Sequence, residues 1–464
     1  MSPAIPLLLP WAAAAALALA DGQRRLVGWL AAAALASTFA LLCVLTGEVF
    51  TEGPRQIVAG DWAPGVGIVL RADALGALFA ALSVGVLLAA FVHELLKGGQ
   101  GRLFPALVLF LCTGLVGLFL TGDVFNFYVF FELTMIASYI LAAYGGRGRE
   151  LRAGFVFAVV NLLGSFLFLL GVAAVYHVTG SLEMQAVAAR LRDAEPSAVV
   201  LIAVFFFVAF GVKLGLFPFH FWLPPVYASA RPGVAAMLSG AVANVGSYGL
   251  LRFGADILPA ELRLGAGVLL VLGTASILYG ALQAVSRRSV SEVLAYSAIG
   301  QAGYVLIALG IGGTVGLAAA VIYTIVNSLN KTLLFLAIDL RGWLVGAAFV
   351  VGAFSVAGVP PTAGFFGKLA LFQAGIDEGS VALVALIFVG GALSFVYMFQ
   401  IYQHDFWRPD ASGTPPAERG PRSSLALRTP TFAVAAIVVA LGILPEPLLV
   451  AGREAAQALG AIAS

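Results

Sequence analysis

Charge is what this sequence lacks most. Only 10% of its 464 residues are Asp, Glu, Lys or Arg, whereas a soluble domain carries about 25%. A soluble protein of this length would lack the polar surface to coat itself, so that class is excluded. The formal net charge of +2 provides no basic surface for nucleic acid. Cysteine is nearly missing too. Cys43 and Cys112 each stand alone in an apolar run, which excludes zinc and iron–sulfur sites built on clustered thiolates and makes both of them small hydrophobes. No cofactor-binding motif occurs along the chain, and no cofactor or metal is expected.

What fills the sequence is apolar: 61% of it is hydrophobic and the mean hydropathy is +1.03. Runs of about 20 apolar residues, each long enough to cross a bilayer, recur from end to end. Backbone N–H and C=O groups in lipid must be satisfied within the segment, so such runs are helices. A membrane β-barrel would show short alternating segments instead. The expected fold is an all-α polytopic membrane protein, one membrane unit over 1–464. It has fourteen transmembrane helices, near 4–20, 26–46, 64–92, 103–121, 123–144, 152–178, 197–218, 232–254, 264–285, 292–312, 314–338, 343–374, 380–403 and 429–450. Met1 to Ala20 lacks a basic leader region and reads as a first span, not a cleaved signal. Two connections are long, Gly47 to Ala63 and His404 to Arg428.

Basic residues divide unequally between the two sets of connections. One side holds 15, including Arg147, Arg149, Arg152, Arg287 and Arg288, and the other holds 7, including Arg71, Arg190 and Arg252. The richer side is expected to be cytoplasmic, with both termini outside and the chain in the plasma membrane.

Three basic residues belong to neither side. Lys213, Lys331 and Lys368 fall inside apolar runs, and they are three of only four lysines in a chain with 21 arginines. A codon bias towards arginine would empty the loops of lysine but would not keep lysine in the membrane. Chemistry does: arginine stays charged at any accessible pH, whereas lysine can exist with or without its proton. Intramembrane ionisable groups mark ion or proton pathways. The alternative, strongest for Lys331 near the end of its run, is a side chain that snorkels to the interface. Lys213 is flanked by Gly211 and Gly215 and followed by Pro218; Lys368 follows Gly358, Pro360, Pro361 and Gly364. Gly and Pro interrupt membrane helices, and two interrupted helices in different halves point to an internal repeat with sites near the midplane.

Glu132 is the acidic residue expected well inside a span, and Lys213 is its natural partner. Such a pair titrates together, as a relay requires; the alternative is a structural ion pair between two helices. His220 follows the Pro218 break and is either a proton carrier or an interface residue. Asp123 is placed to cap the Glu132 helix. Tyr248, Ser297, Gln301, Tyr304, Tyr323 and Thr324 are candidates to line a hydrated path or to bind helices together.

Several blocks carry a family resemblance. The run Thr121 to Glu132 (TGDVFNFYVFFE) resembles the glutamate helix of the antiporter-like membrane subunits of respiratory complex I and their relatives. Lys213 to Gly240, with Phe219-His220-Phe221-Trp222-Leu223-Pro224-Pro225, is similar to their broken lysine helix. Leu294 to Gln301 and Gly358 to Lys368 match two more blocks, and the asparagine and tyrosine near Glu132 look most like the D subunits of Mrp-type cation/proton antiporters. The resemblance implies two inverted five-helix repeats, expected here at 103–254 with Glu132 and Lys213 and at 264–403 with Lys331 and Lys368, each holding a half-channel. It implies that Glu132 and Lys213 are coupled and that Lys368 gates the second half-channel. Three departures stand out: Asn244 and Asn327 occupy positions where the family usually has a lysine or histidine, and the Arg341-Gly342-Trp343 connection is short.

The expected function is a proton-translocating subunit of a multi-subunit monovalent cation/proton antiporter. The expected partners are other membrane subunits, the bilayer, protons and a cation such as sodium or potassium. One alternative is a proton-pumping subunit of a hydrogenase- or complex I-like redox complex, or of another proton-driven system, with any redox chemistry on a partner. The other is a non-conducting scaffold subunit.

Overall fold

The computed structural model describes residues 1–61, 67–407 and 424–460. Parts of both long connections, including Arg408, Arg419 and Arg422, lie outside the described residues. Among the described residues, eleven helices are long and apolar enough to cross a membrane, and three shorter apolar helices, Ala4–Ala18, Phe104–Phe119 and Trp343–Ala357, accompany them. The chain is a multi-pass membrane protein.

Several boundaries differ from the hydropathy reading. Within the run expected at 64–92, whose first residues 64–66 lie outside the described residues, Val69–Ala72 is a strand paired antiparallel with Arg55–Val58. The helix there begins at Ala74, where Asp73 accepts from the Gly76 N–H at 3.0 Å, and it runs on to Lys97. Hydropathy averages over this strand because Val69, Leu70 and Ala72 are as apolar as the residues of a membrane helix. The connection expected from Gly47 is helical to Glu52. Two amphipathic helices were not expected, Met184–Leu191 and Glu446–Gly460; both are too polar on one face to register as spans.

Both interrupted helices are present. Pro196–Leu214 ends at Gly215, which adopts φ 67°, and the chain resumes as a short turn and the helix Leu223–Ser229. Trp343–Ala357 ends at Gly358, with φ 85°, and resumes as Ala363–Asp377. A left-handed C-terminal residue favours glycine. The second break also needs close approach, because a Cβ on Gly364 would run into the Ser355 carbonyl oxygen. Gly364→Ala is therefore expected to destabilise the assembled protein by about 1–3 kcal/mol, read as a lower thermal transition in detergent.

Small residues bring other helices together. A Cβ on Gly280 would lie 2.5 Å from the Gly300 nitrogen, so Ala266–Ser286 and Val290–Ile311 pack backbone to backbone. The helical segment Pro232–Ile257 runs antiparallel to Ala74–Lys97. Gly233 meets Glu94, Asn244 meets Ser83, Tyr248 meets Phe79 and Arg252 meets Asp73. Its other side touches Gly313–Ile338, through Ser328 and Thr332 against Gly240. This segment thus joins the two halves of the chain.

Candidate functional site

All three intramembrane lysines are enclosed. Lys213 is 2% exposed, Lys331 0% and Lys368 4%. The snorkelling alternative for Lys331 therefore fails, since no part of its side chain reaches a surface of the chain. Among the described residues, none of the three forms an ion pair with a carboxylate.

Their surroundings differ. Lys213 sits in the last turn of Pro196–Leu214, where the helix dipole favours a cation. Its ammonium touches the Met135 sulfur and lies over the rings of Phe157 and Phe131 at 5.4 and 6.0 Å. Glu132 is within electrostatic reach of Lys213 but makes no hydrogen bond to it, and its Oε1 has no hydrogen-bond partner. The Glu132 side chain is half-buried, on the same stripe of its helix as the exposed Val129 and Ile136. Asp123 caps that helix as expected, accepting from the Asn126 N–H at 2.7 Å. Burial raises the Asp123 carboxyl above the usual aspartate value, against the Asn126 and Phe125 N–H groups that lower it.

Lys331 anchors a hydrogen-bonded string. Its ammonium donates to the Leu294 carbonyl at 3.1 Å and to Ser297 Oγ at 2.8 Å. Ser297 shares a 2.9 Å hydrogen bond with the Tyr397 hydroxyl, which receives Gln301 Nε2 at 3.3 Å. Tyr323 donates to Gln301 Oε1, and its ring lies 5.0 Å from that of Tyr304. The Lys368 ammonium sits 5.3 Å over the Tyr304 ring and donates to the Ala357 carbonyl at 2.9 Å. Ala357 ends the first half of the second broken helix, so this carbonyl has no helical partner. The string thus leads from Lys331 to the ring beneath Lys368. Ser297, Gln301, Tyr304 and Tyr323 were legible candidates. Tyr397 and Ser394, which bonds Tyr397 at 3.1 Å, were not, because one hydroxyl in an apolar run is an ordinary occurrence. Thr324 is outside the string; it bonds its own helix at Ala320.

The two asparagines part company. Asn244 donates to the Gly240 carbonyl at 2.9 Å, to Ser83 Oγ at 3.2 Å and to Ser328 Oγ at 3.4 Å. It is the polar link between three helices, one of them the Lys331 helix. Asn327 is half-buried with Oδ1 unbonded. His220 is half-buried against Phe217 and Tyr279, ring centroids 5.5 and 4.4 Å away, and its Nδ1 is free of hydrogen bonds.

Other acids are more deeply buried than Glu132. Glu94 is buried and accepts from the Gly233 N–H at 3.0 Å. Arg252, expected at a connection, is buried and bonds both Asp73 at 2.7 Å and Asp256 at 2.5 Å. His93, adjacent to Glu94, is buried with neither ring nitrogen bonded. The spacing Tyr248, Arg252, Asp256 was the available signal for the arginine cluster; it was hidden by ending the span at 254.

This geometry has counterparts. The family model described as NADH:quinone oxidoreductase/Mrp antiporter, TM matches residues 121–342 and 343–394. The D subunit of the Na(+)/H(+) antiporter of Alkalihalophilus pseudofirmus is 31% identical, over 96% of this chain and 94% of the relative. A chain of the Mrp complex from a Dietzia species superposes with a TM-score of 0.86 at 29% identity, covering 98% of this chain and 96% of that one. A chain of the membrane-bound sulfane sulfur reductase, an archaeal respiratory membrane complex, gives a TM-score of 0.90 at 25% identity, covering 99% and 98%.

Proposed function

The chain belongs to the family of NADH:quinone oxidoreductase and Mrp antiporter membrane subunits, and on that premise we propose that it moves protons through its buried lysines. It is a subunit of a multi-subunit cation/proton antiporter, assembled with partner membrane subunits in the plasma membrane. The observation that carries the relay is the enclosure of Lys213, Lys331 and Lys368 without a carboxylate ion pair among the described residues. A static counter-ion would be met by an opposite charge. These lysines are met instead by carbonyls, hydroxyls and rings, partners that tolerate both states of the amine.

In this reading Glu132 and Lys213 couple through space in a first repeat, 103–254. Lys331 and Lys368 are joined by the tyrosine string in a second, 264–403. Asn244, Ser83 and Ser328 bridge the repeats by hydrogen bonds from groups that neither gain nor lose a proton at neutral pH. The eleven long and three shorter apolar helices support fourteen crossings. Arg149, Arg152 and Arg287 line one shared surface pocket, which supports a cytoplasmic face on that side and both termini outside. The stripe carrying Glu132 faces out of the bundle, where a partner subunit covers it.

The test is exchange by the whole complex in vesicles. Sodium or potassium added against a preset pH gradient is expected to drive proton movement in the opposite direction; no response to either cation would overturn the antiporter reading. The match to a respiratory complex supports a second reading, proton pumping in a redox assembly, for which electron transfer rather than a cation would drive the movement. Lys368→Arg is expected to slow exchange at least about tenfold, because arginine keeps its proton. Full activity in that variant would make Lys368 a fixed charge.

A further inference from the structure

The Arg252 cluster lies apart from the lysine string. Asn244, Tyr248, Arg252 and Asp256 follow one another at intervals of four, which keeps them near one stripe of their helix. The first three face the helix Ala74–Lys97 or its cap, through Ser83, Phe79 and Asp73. Arg252 Nε also donates to the Tyr248 hydroxyl at 3.2 Å. Asp256 ends the stripe. It is 0% exposed; its Oδ2 accepts from Arg252, and its Oδ1 has no hydrogen-bond partner among the described residues. A buried carboxylate oxygen without a donor is costly unless water reaches it or a proton sits on it. A cavity of about 10 Å3, the room of roughly one water, lies against Asp256 and Asp73 and is bounded by Arg71, Gln56, Glu183 and Gln185; Asp73 Oδ2 also lacks a hydrogen bond among the described residues but has the Arg71 guanidinium 3.6 Å away.

We infer that Asp256 is the group through which this chain exchanges protons with the outer aqueous face, by way of that cavity. The inference rests on the antiporter reading and the orientation proposed with it. The step is a simple transfer: an O–H bond forms at Asp256 Oδ1 as one breaks on a hydronium in the cavity, which is left as neutral water, or the reverse, and no electrons change hands. A structural lock between the two helices needs only Arg252 and Asp73. Asp256 adds a second carboxylate to a guanidinium already paired, and this is the part a lock does not require. Arg252, which keeps its charge, is a positioning residue that holds Oδ2 and leaves Oδ1 without a donor.

The charges acting on Asp256 are Arg252 on its own helix, Asp73 at the neighbouring cap and Arg71 on the strand before it, which lies 3.6 Å from Asp73. Other elements packed on this segment bring further ionisable groups. Glu183, before Met184–Leu191, lines the cavity, while Arg190 of that helix bonds the Thr179 carbonyl. Pro259–Leu264 carries Glu261, in a separate apolar groove, and Arg263. Glu446–Gly460 pairs Arg453 with Glu446 and carries the half-buried Glu454. Pro196–Leu214 is capped by Glu195, bonded to Ser197.

The experiment measures exchange by the assembled complex in vesicles, stepping outer pH at fixed cytoplasmic-side pH and then the converse. Asp256→Asn is expected to slow exchange about tenfold and to flatten its dependence on outer pH, leaving the cytoplasmic-side dependence intact. Asp256→Glu is expected to keep an outer-pH dependence with a displaced midpoint. A wild-type outer-pH profile in assembled Asp256→Asn, even at a reduced overall rate, would overturn the inference. Should Asp256→Asn fail to assemble, the Glu variant decides, and an unchanged midpoint overturns it. A wild-type complex without cation/proton exchange would overturn the antiporter reading itself, and this inference with it.

Discussion

Lys213→Met in the assembled complex is expected to lower cation-driven proton exchange by about 100-fold or more, with assembly intact. Methionine replaces the lysine stem with an apolar chain of similar length, so the pocket formed by Met135, Phe131 and Phe157 stays filled. What is lost is the ammonium at the end of the first half-helix. Glu132→Gln is expected to give a comparable loss by a different route, because it removes the charge that reaches Lys213 through space. The check is dissipation of a preset pH gradient by sodium or potassium in vesicles, beside a measure of assembled complex. Normal exchange in either variant, with normal assembly, would rule out the coupled pair and favour a scaffold.

The second large effect is expected at Lys331. Removing its ammonium as Lys331→Met leaves Ser297 and the Leu294 carbonyl without their donor and takes the amine from the end of the Ser297, Tyr397, Gln301, Tyr323 string. Exchange is expected to fall about 100-fold or more. Tyr397→Phe, which keeps the ring and deletes one hydroxyl, is expected to reduce it less, by about tenfold, since water can replace a single link. Wild-type exchange in assembled Lys331→Met would place the working path elsewhere and leave Lys331 a structural hydrogen-bond donor.

The two predictions draw on different kinds of information. Lys213 announces itself in the sequence, because a lysine among Gly211, Gly215 and Pro218 in an apolar run has few readings. Lys331 does not. Its neighbours in the chain are ordinary, and its position near a helix end suggests an interface. Only the fold shows that Ser297 and Leu294, more than thirty residues away, receive its ammonium. Asn244 is similar: read alone it is a missing proton station, whereas in space it is the junction of Ser83, Gly240 and Ser328.

The sequence by itself determined that the protein lives in a membrane, that its spans are helices, that two of them break, and that Glu132, Lys213, Lys331 and Lys368 lie within them. Those are local properties. A run of apolar residues must satisfy its backbone internally whatever surrounds it, and an ionisable group in that run is costly wherever it points. The tertiary structure alone decided which polar groups meet. It placed Glu132 on an outward stripe without a direct bond to Lys213, enclosed Lys331, and drew Asp73 and Asp256 to one guanidinium. Hydrogen bonds of about 3 Å join residues as distant as Asp73 and Arg252, and hydropathy along the chain carries no record of such meetings.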